Sequence, residues 1–163
     1  MKFLLAIVTL VCVSCSHTYY VVRHAEKEAA APNMSSDVPL SREGKERTEK
    51  IKEILKTKKI RSVYSTNTIR TKSTAQRTAD YFSLPVIMYG PRLDSTFTVQ
   101  LRAMKSNVLI VGHSNTVDDI VNALCKEKKL NDLDDSEYNK LFIVTYRGKK
   151  IFFMETEIFS PTK

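Results

Sequence analysis

The chain reads as an α/β protein, a three-layer sandwich in which a mostly parallel sheet carries helices on both faces and ends in a β-hairpin. Three observations predict this. Short β-branched runs alternate with segments of helical periodicity. The runs 18–23 and 108–111 are apolar enough to be buried on both faces, as inner strands of a parallel sheet are. The last two strand candidates are separated by only a few residues around Arg147-Gly148, which leaves room for a hairpin turn and no crossover.

Each element follows from its residues. Thr18-Tyr-Tyr-Val-Val-Arg23 is β-branched and aromatic, and forms the first strand. A loop runs through Ala29 to Pro39. Ser41 caps the first helix, with Glu43 and Glu46 in its opening turns and Lys56, Lys58 and Lys59 near its end, where they complement the helix dipole. Its apolar stripe is Ile51, Ile54 and Leu55. Residues 60–65 form a second strand and 68–82 a second helix, with Ala75, Ala79 and Phe82 inward. A short strand at 86–88 and a helix over 95–105 come next. Val108-Leu-Ile-Val111 is a strand ending at Gly112-His113. Beyond it Val117, Ile120, Val121 and Leu124 fall at helical spacing. The hairpin pairs 141–146 with 149–157, and Gly148 supplies any positive φ the turn needs. There is no internal repeat and no linker.

Composition narrows the function. The 163 residues are 42% apolar and 27% charged, with 26 basic against 18 acidic residues and a formal charge of +8. That balance favours anionic partners. The four glycines stand at 44, 90, 112 and 148, too far apart to write a Gly-rich phosphate loop or a dinucleotide fingerprint. Three histidines and three cysteines give no paired Cys-x-x-Cys zinc site. No metal and no cofactor is expected. Residues 45–61 hold eight bases, but Glu46, Glu49 and Glu53 are interleaved with them and Glu43 stands just before, as on a solvated helix face, and no nucleic-acid partner is expected.

The first fifteen residues read as an address. Lys2 precedes an uncharged run from Phe3 to Val13, which as a helix covers about 16 Å, half of a bilayer core, and so is too short to span it. A basic start, a short apolar stretch and then small residues are the layout of a secretory signal. Ser14-Cys15-Ser16 resembles a bacterial lipoprotein processing site, with Cys15 lipidated. The expected organisation is a signal peptide over 1–15 and one domain over 16–163. The protein would then be exported to the periplasm or cell envelope and held at the membrane by its lipid. Cys12 would be removed, leaving Cys125 as a lone buried thiol without a disulfide. No feature bears on oligomeric state.

Chemistry gathers at strand ends. Arg23-His24 closes the first strand and Gly112-His113-Ser114-Asn115 the strand at 108–111, while Ser65-Thr66 leads to Arg70 at the start of the second helix. Parallel strands present their carboxyl ends on one side, where α/β sheets bind ligands. Helix N-termini near 68 and 115 add N–H donors for an anion. Two arginines and two histidines suit a tetrahedral dianion, because guanidinium offers forked donors to phosphate oxygens. A neutral imidazole whose other nitrogen is held by a carbonyl or carboxylate is a nucleophile. The residues alone therefore suggest phosphoryl transfer through a phosphohistidine.

Arg23-His24-Ala25-Glu26 resembles the Arg-His-Gly/Ala-Glu signature of the histidine phosphatase superfamily, the phosphoglycerate-mutase-like fold. Pro39-Leu40-Ser41-x-x-Gly44, Tyr64-Ser65-Thr66 through Arg70 to Ala75, and Val111 to Asn115 resemble its other segments in order. The resemblance implies that His24 is the nucleophile and that Arg23, Arg70 and His113 clamp the phosphoryl oxygens. It implies a metal-independent phosphohydrolase acting on phosphomonoesters or on acyl or phosphoamide phosphates. The substrate is a phosphorylated small molecule or a phosphoprotein. Candidate proton donors for the leaving group are Asp94 and Glu26, and Ser114 and Asn115 are candidate substrate contacts or caps of the following helix. A non-catalytic phosphate-binding module on the same fold, or a phosphomutase, are the alternatives. The acidic group Asp132, Asp134, Asp135 and Glu137 lacks the glycine and spacing of a calcium loop and reads as an exposed loop.

Overall fold

The computed structural model describes residues 16–30 and 37–158. The signal segment, Cys12 and the lipidation candidate Cys15 lie outside the described residues. Strands β1 (Ser16–Arg23), β2 (Ile60–Thr66), β3 (Val86–Tyr89), β4 (Asn107–Gly112), β5 (Lys140–Arg147) and β6 (Lys150–Glu157) form one sheet in the order β3-β2-β4-β1-β5-β6. The first four pair in parallel, β5 runs antiparallel to β1, and β6 antiparallel to β5. Helices α1 (Arg42–Leu55), α2 (Ile69–Phe82), α3 (Ser95–Ala103) and α4 (Ser114–Cys125) complete the fold. The sandwich expected from the alternation of elements is what forms.

Side-chain alternation along the inner strands builds both cores. Tyr19 and Val21 of β1 and Val108 and Ile110 of β4 face α3 and α4, packing with Phe97, Leu101, Val117 and Ile120. Tyr20, Val22, Leu109 and Val111 point the other way, onto Ile51 and Leu55 of α1 and Ala75 and Ala79 of α2. Cys125 is a buried free thiol on α4, as expected of a small core residue. The hairpin departs from the two-sided cover, because Phe152 and Met154 of β6 stand exposed beyond the reach of the helices. Gly148, with φ of 58°, makes its turn.

Caps fix where the helices begin. The Ser41 hydroxyl accepts the Gly44 N–H at 3.1 Å, and Thr68 exchanges side-chain bonds with Thr71 at the start of α2. The segment after β1 is tied down as well. Ser41 N–H donates to the Glu26 carbonyl (3.0 Å), Glu28 N–H to the Pro39 carbonyl (2.9 Å), and Lys27 bridges Leu40. Gly44 allows this closeness, since a Cβ there would lie 2.0 Å from the Glu26 carbonyl oxygen. The first turn of α1 thus presses on the backbone just beyond His24.

Candidate active site

The parallel pairing puts the ends of β2, β4 and β1 side by side, with Arg23 in register with Gly112 and Ser65 with Val111. His24 leaves β1 with its N–H donating to the Gly112 carbonyl at 2.9 Å, and the next N–H, of Ala25, donates to the Thr74 hydroxyl at 2.9 Å. These bonds fix the backbone that carries the imidazole. The ring Nδ1 lies 2.8 Å from the Ala25 carbonyl oxygen. A carbonyl only accepts, so Nδ1 carries the hydrogen and Nε2 carries the lone pair. Burial, helped by the charges of Arg23, Arg70 and the nearby His113, pushes the His24 pKa down to about 3, against the opposing bond to Ala25. The ring is a neutral base and nucleophile at ordinary pH.

His113 caps α4, its ring 5.4 Å from that of His24 and steeply inclined to it. Its Nε2 lies 2.9 Å from the Thr66 hydroxyl. Thr66 donates its own hydroxyl hydrogen to Thr71 Oγ1 (3.1 Å), and Thr71 donates to the Thr66 carbonyl (2.8 Å). A hydroxyl has one hydrogen, so Thr66 receives its bond from His113, whose proton therefore sits on Nε2. Burial and the two arginines, with Asp37 opposing, lower the His113 pKa to about 4. One histidine thus offers a lone pair at Nε2, and the other an N–H.

Both arginines are held in place. Arg23 Nη1 donates to the Asp134 carbonyl at 2.9 Å and Nη2 to Asp135 Oδ1 at 3.2 Å, while the guanidinium carbon lies 4.3 Å from the centre of the Tyr138 ring. Its Nε is buried with no partner among the described residues. Arg70, in the first turn of α2, pairs with Asp37 at 3.4 Å, and the same carboxylate oxygen accepts the Ile69 N–H at 2.9 Å. Arg23, His24, Arg70 and His113 line one open cleft of about 640 Å³, together with Ser114 and Asn115. Lys27, Arg92 and Asp135 stand in the same wall. Ser114 and Asn115 follow the cap rather than forming it, since the capping position belongs to His113. Among the described residues no group of three or more His, Cys, Asp or Glu is placed to hold a metal ion.

The two candidate proton donors are placed elsewhere. Glu26 accepts from Arg47 Nε at both carboxylate oxygens (3.0 and 2.8 Å) and from Nη2 as well, and Arg47 Nη1 donates to the Ile158 carbonyl. Glu26 is thereby held against α1 and does not line the cleft. Asp94 caps α3, accepting the Phe97 N–H at 2.6 Å, and lines a separate depression with Tyr64 and Gln100. Neither residue lines the cleft that holds His24.

Residues 19–94 match the family model described as the histidine phosphatase superfamily, branch 1. That match takes in Arg23, His24 and Arg70 and ends before β4 and His113. The structural neighbours agree on the fold. The structure of the protein histidine phosphatase SixA complexed with tungstate superposes with a TM-score of 0.68 at 20% identity, covering 86% of this chain and 97% of that one. A mycobacterial glucosyl-3-phosphoglycerate phosphatase gives 0.64 at 11% identity, with 86% and 97% covered. A mutant phosphoserine phosphatase from Entamoeba histolytica, in complex with phosphoserine, gives 0.62 at 11%, with 84% and 94% covered. No curated protein matches the chain in sequence.

Within this histidine phosphatase fold, the sequence signature marks the cleft floor but not its wall. Asp135, read from sequence as part of an exposed acidic loop, and Tyr138, which the sequence reading did not single out, lie against Arg23, more than a hundred residues away along the chain. Lys27 and Arg92 also line the cleft. Adjacency to the signature was the available signal for Lys27. Nothing local marks Asp135, whose place depends on the path from α4 back to β5.

Proposed function

We propose that the protein is a phosphohydrolase that works through a phosphohistidine on His24. The observation that carries this is the 2.8 Å bond from Nδ1 to the Ala25 carbonyl, which aims a neutral Nε2 lone pair from the floor of a cleft bearing two arginines and a second histidine. Nε2 attacks phosphorus in line. The N–P bond forms as the bond to the leaving group breaks, and its electrons depart with that group. Arg23 and Arg70 balance the charge on the phosphoryl oxygens, and His113 joins them by turning towards the phosphoryl group the Nε2–H that it gives to Thr66 in the free site, so catalysis is positioning and electrostatics. Water then cleaves the N–P bond and restores the imidazole.

The placement of Glu26 and Asp94 favours substrates whose leaving group needs no proton from a dedicated acid. Acyl phosphates and phosphoamides, phosphohistidine among them, meet that condition, and alkyl phosphates do not. The tungstate held by the structural neighbour SixA is a tetrahedral oxyanion of the same shape class as phosphate. The apolar run 3–13 followed by Ser14-Cys15-Ser16 supports export, with 16–163 as the domain acting at the cell envelope under a lipid anchor on Cys15. The test is phosphate release from acetyl phosphate, p-nitrophenyl phosphate and an alkyl phosphate by the purified protein and by His24→Ala. The expected order of rates is acetyl phosphate, then the aryl ester, then the alkyl ester, with all three abolished in the variant. A protein that binds vanadate but releases no phosphate above the variant would be an anion-binding module instead.

A further inference from the structure

Two steps make up the proposed reaction, and they need different help. The first expels a leaving group, and the second activates water against the phosphohistidine. Among the described residues Asp135 is the one carboxylate that lines the cleft. Its side chain is 93% exposed, so it meets bulk water directly. Oδ1 accepts from Arg23 Nη2 at 3.2 Å and from Ser114 Oγ at 3.4 Å. The first of these donors belongs to the guanidinium assigned to the phosphoryl oxygens, and the second lies at the start of α4, next to His113. An ionised carboxylate paired with arginine is an acceptor and not a proton donor. That suits water activation rather than leaving-group protonation.

The supporting loop is built to hold this geometry. Asp134 and Glu137 give backbone carbonyls to Arg23, and Tyr138 lies against the guanidinium. Asp134 is itself fixed by bonds from Ser136, and Glu137 is tied to Lys140 at the start of β5. Asp134 and Glu137 are thus engaged in holding the loop, while Asp135 lines the cleft.

We propose that Asp135 is the general base of the second step. A water beside the phosphohistidine gives its proton to Asp135 Oδ2 as its oxygen bonds to phosphorus. The N–P bond breaks with its electron pair returning to His24 Nε2, and inorganic phosphate leaves. The proton then passes from the exposed carboxyl to solvent. This inference rests on the phosphohistidine reading given above.

The experiment is rapid-quench labelling with ³²P-acetyl phosphate in the wild-type protein, Asp135→Asn and Asp135→Glu, alongside steady-state kinetics. Asparagine keeps an acceptor for Arg23 and Ser114 but cannot take the proton. Asp135→Asn is expected to phosphorylate His24 at a near wild-type rate, to accumulate close to one acid-labile phosphate per protein, and to turn over on the order of 10²-fold more slowly. Asp135→Glu should recover part of that turnover. If Asp135→Asn instead lowers KM and leaves kcat unchanged, with no accumulated phosphoprotein, Asp135 is only a competitor of phosphate for Arg23 and the inference falls. If even the wild-type protein, while releasing phosphate, never carries label on His24, the phosphohistidine reading fails first and takes this inference with it.

Discussion

Glu26 sits two residues from the nucleophile, yet its structural partner is Arg47, and this assignment makes a sharp prediction. Arg47 is 2% exposed, and its guanidinium meets both oxygens of Glu26 and the Ile158 carbonyl. Glu26→Gln keeps the shape but removes the charge that balances a buried cation. Breaking one side of a buried pair costs about 3–5 kcal/mol, and the partial exposure of Glu26 argues for the lower end, about 3 kcal/mol. For a chain of this size each kcal/mol moves Tm by roughly 3–4 °C, so a loss of about 10 °C is expected. The assay is thermal unfolding beside the ratio of acetyl phosphate to alkyl phosphate hydrolysis, measured well below the lowered midpoint. That ratio should stay at the wild-type value, because Glu26 does not line the cleft. An unchanged Tm together with a selective loss of alkyl phosphate hydrolysis would refute the reasoning and restore Glu26 as a proton donor.

Further predictions follow from the same geometry. The folded protein holds His24 neutral down to about pH 3, whereas the unfolded chain protonates it near its ordinary value of 6.5. The unfolded state therefore binds more protons between those values, and His24 should remove up to about 1.4 kcal/mol of stability for each pH unit descended through that window. Denaturant titrations at pH 7 and pH 5 should show a smaller drop in His24→Asn than in the wild type, and equal drops would count against a buried neutral imidazole. Thr66→Val deletes the acceptor for His113 Nε2 and is expected to lower kcat by roughly fivefold, equivalent to about 1 kcal/mol, with Thr66→Ser restoring it. Labelled fatty acid fed to cells should enter the protein and fail to enter Cys15→Ser, while retained label would move the anchor to Cys12.

How much of this was legible in sequence differs between floor and wall. Tyr19 to Val22 and Val108 to Val111 announce buried parallel strands because both faces are apolar, and the residues that close such strands must share an end of the sheet. Arg23, His24 and His113 are therefore locatable without coordinates, and the cap at Thr68 places Arg70 in the first turn of its helix. The acids were not legible. Glu26 follows His24 by two residues, a spacing that would put both on one side of an extended strand, but the strand ends at Arg23 and the positive charge Glu26 meets is twenty-one residues further on, in α1. Asp94 has the residue type and spacing of a helix cap as much as of an acid, and capping is its role in the fold. Asp135 belongs to a loop whose path is set by the hairpin and by Arg23, which are long-range contacts that no local pattern encodes. The open face at Phe152 and Met154 was missed for a similar reason, because alternation in an edge hairpin does not say which face a helix will reach.

The most direct test of the central claim is the covalent intermediate itself. Brief exposure of the protein to ³²P-acetyl phosphate, followed by an alkaline quench and peptide mapping, should find label that is stable to base, labile to acid and confined to His24. It should be absent from His24→Ala. Continued turnover with no labelled histidine, or label that persists in His24→Ala, would contradict the account.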